Sequence, residues 1–104
     1  MKIFLSVPMK NKTKEEIEAT ISQMKAQVNN RFPNTNLEFI NTYVEDKPPY
    51  DTSNEAIWYL GKSLEILSQC SVLVCLKDLD PIYNGCIIEK EVAKRYGLKI
   101  IELE

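Results

Sequence analysis

Apolar positions in this chain come in blocks whose internal spacing switches between strand-like and helix-like. The opening block, residues 2–8 (KIFLSVP), is a short apolar run closed by Pro8, the pattern of a strand that stops at its proline. Thr13-Lys14-Glu15-Glu16 follows, and a Thr with a Glu three positions on can satisfy each other's backbone donors at a helix start. Ile17, Ile21, Met24 and Val28 then recur at helical spacing, which predicts a helix running to about Asn30. Residues 29–34 (NNRFPN) end it. Residues 37–43 (LEFINTY) carry the alternation and side chains of a second strand. The next stretch, 44–53, holds Glu45, Asp46, Pro48, Pro49 and Asp51, which excludes helix and strand and leaves a long loop of the kind that often serves function.

Ser53 or Asn54 can cap a second helix, with Ile57, Leu60, Leu64 and Leu67 as its buried stripe and an end near Gln69. Gly61 interrupts this helix, and close packing is the expected reason. Trp58 and Tyr59 read as packing residues. Residues 72–76 (VLVCL) are continuously apolar, as a strand buried on both faces must be. A polar loop, 77–84, precedes a third helix over residues 85–96 with Ile88, Val92 and Tyr96 in line, stopped by Gly97 at C′. Residues 98–103 (LKIIEL) supply the last strand.

The β-α-β-α-β-α-β alternation predicts an α/β three-layer sandwich: a four-stranded parallel sheet, order 2-1-3-4, flavodoxin- or Rossmann-like, with three helices. At 104 residues there is room for one domain. Thirteen Lys and Arg against fifteen Asp and Glu give a net charge of -2, which supplies none of the basic surplus of a nucleic-acid binder. The absence of His removes every histidine-based ligand set or triad. Three cysteines, Cys70, Cys75 and Cys86, lack metal-ligand spacing and read as reduced, buried thiols. No apolar run approaches the roughly 20 residues of a membrane span, so a cytoplasmic protein without membrane association is expected.

In an open parallel sheet of this order, ligands bind beyond the strand ends where the order reverses, here between the first and third strands. That crevice is expected to gather Ser6, Pro8 and Met9 from the first strand, and Asp78 and Asp80 after the third. Gly85 opens the third helix, whose free amides and dipole face the same way, and Glu89 lies about one turn further on. Only Gly61, Gly85 and Gly97 are present, too few for a phosphate-cradling glycine loop.

The stretches KIFLSVPM, WYLGKSLEILSQCSVLVCL and GCIIEKEVAKRYGLKII resemble the nucleoside 2-deoxyribosyltransferase-like superfamily, in particular its small DUF4406-type branch. The resemblance implies Glu89 as the nucleophile, in a Gly85-x-x-x-Glu89 arrangement followed by Ala93, and Asp80 or Asp78 as an acid assisting the base. It further implies substrate contacts from Ser6, Pro8, Met9, Ser63, Asp78, Asn84 and Gly85. No metal or cofactor is called for; the partner is a small nucleoside or nucleotide, and a homo-oligomer is expected. Breaking an N-glycosidic bond builds positive charge at the anomeric carbon, which a carboxylate can attack or stabilise. Three positions depart from the family pattern: Phe4 stands for a tyrosine, Val7 for a small residue and Ser63 for an aspartate. Two other readings therefore stay open. One is a non-catalytic protein that sequesters a nucleotide or ADP-ribose-like signal, as a phage-encoded product can. The other is a structural scaffold.

Overall fold

In the computed structural model, residues 1–40 and 47–104 are described. The elements run β1 (Lys2–Leu5), α1 (Lys14–Arg31), β2 (Glu38–Ile40), α2 (Glu55–Leu67), β3 (Val72–Leu76), α3 (Asn84–Arg95) and β4 (Lys99–Leu103). All strands pair in parallel in the order β2-β1-β3-β4, the predicted topology. The second half of the expected second strand and the start of the acidic loop lie outside the described residues.

Strand periodicity divides the core into two layers. Ile3, Leu5, Val72, Val74, Ile101 and Leu103 face α1, where Ile17, Met24 and Val28 meet them. Phe4, Leu73 and Cys75 face the other way, against Leu67 of α2 and Ala93 of α3. With helices on both faces, the central strand β3 is apolar throughout, as its sequence requires.

The caps explain where the helices begin. Thr13 Oγ1 accepts the Glu16 amide at 3.1 Å and Glu16 Oε1 accepts the Thr13 amide at 3.1 Å, completing the predicted capping box. Of the two candidates for α2, Asn54 is the cap, its Oδ1 accepting the Ile57 amide at 3.2 Å. Gly97 has φ +77°, the left-handed C′ conformation that ends α3.

Three expectations about helix faces need correction. Ile57 is 66% exposed, because the first turn of α2 lies outside the sheet-facing cluster that Leu64 and Leu67 join. A Cβ at Gly61 would meet nothing within 4 Å, so close packing does not explain that glycine. On α3 the buried residues are Cys86, Glu89 and Ala93, whereas Ile88 is 39% and Tyr96 79% exposed. Ala93 joins the sheet-facing cluster and Val92 packs partly buried against it, while Ile88 and Tyr96 turn outward.

Candidate active site

β1 and β3 are neighbours, and the chain leaves them towards opposite faces, so a crevice opens beyond their carboxyl ends. The β1–β3 ladder continues one residue past β1, where the Ser6 amide donates to the Val74 carbonyl at 2.8 Å. A cavity of about 560 Å³ occupies this position, a size suited to a small organic ligand. Its walls come from the end of β1 and the residues after it, from α2, and from the start of α3.

Glu89 is the one acid on its wall among the described residues. It lines the cavity yet is only 7% exposed, and Ser6 Oγ donates to Glu89 Oε1 across 2.7 Å. Burial pushes this carboxyl up to about 7; hydrogen bonding from Ser6, and then from Ser63, opposes the rise only partly. A carboxyl that ionises near neutrality inside a cleft is the usual signature of an acid or base at work. Cys86, one turn earlier on α3, is buried beside it, and loss of water holds its thiol up at about 11.

Met9, Asn84, Gly85 and Glu89 line the cavity together at the strand ends, and Ser63, named only through the resemblance, joins them from α2. Ser6 stands behind Glu89 rather than on the wall, and Pro8 is buried without lining it. The two loop acids go elsewhere. Asp78 takes φ +55° in the turn leaving β3 and lines a separate cavity of about 410 Å³. Asp80 is exposed, and its Oδ1 accepts the Ile82 amide at 3.0 Å while its carbonyl accepts the Tyr83 amide at 3.0 Å. Both are turn-forming acids: Asp tolerates left-handed backbone, and Asp before Pro favours this tight turn.

Lys10 and Tyr83, which no site expectation included, line the cavity, and so does Tyr59, which in sequence reads as a packing residue. For Tyr59 a signal existed: Ala56, Tyr59, Leu60 and Ser63 fall on one helical face, and all four reach the wall. Trp58 packs edge-on to Tyr59, ring centroids 5.1 Å apart, holding that wall. The start of α3 has no side-chain cap, so its first amides remain unpaired by a capping group where Tyr83, Asn84 and Gly85 meet the cavity. Among the described residues no three His, Cys, Asp or Glu side chains gather as metal ligands would.

Fold and site together define a parallel α/β sandwich with a buried, near-neutral carboxyl at its topological switch point. No family model, curated protein or solved structure matches the chain. No described helix is long and apolar enough to cross a membrane.

Proposed function

We propose that this protein cleaves, or exchanges across, the N-glycosidic bond of a deoxynucleoside or its monophosphate, with Glu89 as nucleophile. The observation that carries the reading is a carboxyl group 7% exposed, held by a 2.7 Å hydrogen bond, on the wall of a 560 Å³ cavity. In the first step a Glu89 oxygen bonds to the anomeric carbon as the carbon–nitrogen bond breaks. The bonding pair leaves with the base, which takes a proton from water. Water or a second base then attacks the same carbon and releases Glu89. Stripping water from the carboxylate strengthens its attraction for the positive charge developing on the sugar. Tyr59 and Tyr83 give the walls aromatic surface suited to a flat base.

The test is incubation with a panel of deoxynucleosides and their 5′-monophosphates, followed by chromatography for free base. Release by the native protein and none by Glu89→Gln is expected. The rate should rise with pH and level off above about 7, because the attacking form is the ionised one. A second reading, binding without turnover, is favoured by one feature: Glu89 is the only carboxyl group among the described residues lining the cavity. Thermal stabilisation by nucleotides with no base released, in native protein and Glu89→Gln alike, would establish that reading instead.

A further inference from the structure

Ser6 is 1% exposed and fixed at both ends. Its amide extends the sheet ladder to Val74, and its hydroxyl reaches Glu89, 83 residues away on α3. By strand alternation it points to the same sheet face as Phe4, towards the α2 and α3 layer. Glu89 lines the cavity and Ser6 does not, so the hydroxyl meets the carboxyl from the protein side. Ser63 differs, because it lines the cavity from α2 and acts on the carboxyl from the ligand side.

The Ser6 hydrogen is given to Glu89. A hydroxyl has one hydrogen to give and two lone pairs to accept with. The Cys86 thiol lies beside the same hydroxyl and keeps its own proton across the physiological range, since burial holds it near 11. An ionised carboxylate can only accept, so the Ser6 hydrogen goes to Glu89 Oε1. The groups facing Glu89 are then Ser6 from the sheet, Ser63 from α2 and Cys86 from its own helix, with Lys10 on the same cavity wall.

We infer that Ser6 is a positioning residue: its hydroxyl ties Glu89 Oε1 to the end of β1, so that the other carboxylate oxygen is presented to the cavity in one orientation. This rests on Glu89 being the attacking group. It takes Ser6 out of the set of substrate contacts and leaves Ser63 as the hydroxyl that a ligand meets.

Carbon-13 titration of the glutamate side-chain carboxyls, with Glu89→Gln assigning the signal, tests this without any turnover. In Ser6→Ala the Glu89 midpoint should climb by about one pH unit above its native value, since a hydrogen bond to the charged form is lost. Base release by Ser6→Ala should show kcat about tenfold lower with KM nearly unchanged, and a pH profile displaced upward to match. Ser6→Cys, which keeps the shape with a weaker donor, should fall between. An unmoved Glu89 midpoint would overturn the inference, as would a raised KM with kcat unchanged, which would make Ser6 a substrate contact. A native protein that releases no base from any substrate removes the nucleophile reading alone, and the titration still decides whether Ser6 holds the carboxyl.

Discussion

Replacing Glu89 by glutamine should stabilise the protein at neutral and alkaline pH. In the unfolded chain this carboxyl ionises near its ordinary value of 4.5, whereas burial in the fold delays ionisation to about 7. The native state thus holds the proton more tightly, so the group's contribution is fully present below about pH 4.5 and drains away as pH rises through 7. Each tenfold difference in proton affinity is worth about 1.4 kcal/mol, so keeping the charge buried at pH 8 costs the fold about 3 kcal/mol. Glutamine keeps the shape and the capacity to accept from Ser6 but never ionises. The experiment is urea denaturation of both proteins at intervals from pH 4 to 8. Their stabilities should nearly coincide at pH 4 and diverge through the window from 4.5 to 7, glutamine ending about 3 kcal/mol ahead. For a domain of this size that is a rise in Tm on the order of 10 °C. A difference independent of pH, or one favouring the native protein at pH 8, would refute the claim that the folded carboxyl is desolvated.

Two glycines should respond in opposite senses to alanine. Gly97→Ala forces a Cβ into backbone at φ +77° and should cost about 1 kcal/mol, whereas Gly61→Ala fills open space inside a helix and should gain up to about 1 kcal/mol; thermal melts distinguish them. All three thiols are buried and pushed above their ordinary range by loss of water. Native protein at pH 8 should therefore resist alkylation by iodoacetamide on a timescale at which urea-unfolded protein reacts fully, as read by mass spectrometry.

Fold class and topology were legible because they rest on period and punctuation. The Thr13–Glu16 box, the wholly apolar 72–76 run and Gly97 each announce an element boundary through local chemistry alone. Helix faces were harder. On α3 the apolar line through Ile88, Val92 and Tyr96 outscored Cys86, Glu89 and Ala93 in hydrophobicity, yet small residues are what let a helix lie close to a sheet. Spacing from Gly85 places Glu89 near the crevice and only the family resemblance implies its role as nucleophile; the structure adds what neither carries, its burial and its bond to Ser6. The loop acids misled for a physical reason, since carboxylates that form turns and carboxylates that face a crevice look alike in sequence. Asp80 spends its side chain on the Ile82 amide. Tyr59 and Lys10 reach the cavity through the way α2 and the end of β1 meet, a tertiary fact with no local sequence mark for Lys10.

The most direct measurement is the intact mass of the protein quenched in acid while it turns over a deoxynucleoside or its monophosphate. Attack by Glu89 leaves the sugar attached, so a fraction of the chain should gain the mass of the glycosyl group. Proteolysis should place that gain on the peptide containing Glu89, and Glu89→Gln should show none. Base release accompanied by no adduct at any quench time, or an adduct on another residue, would contradict the account.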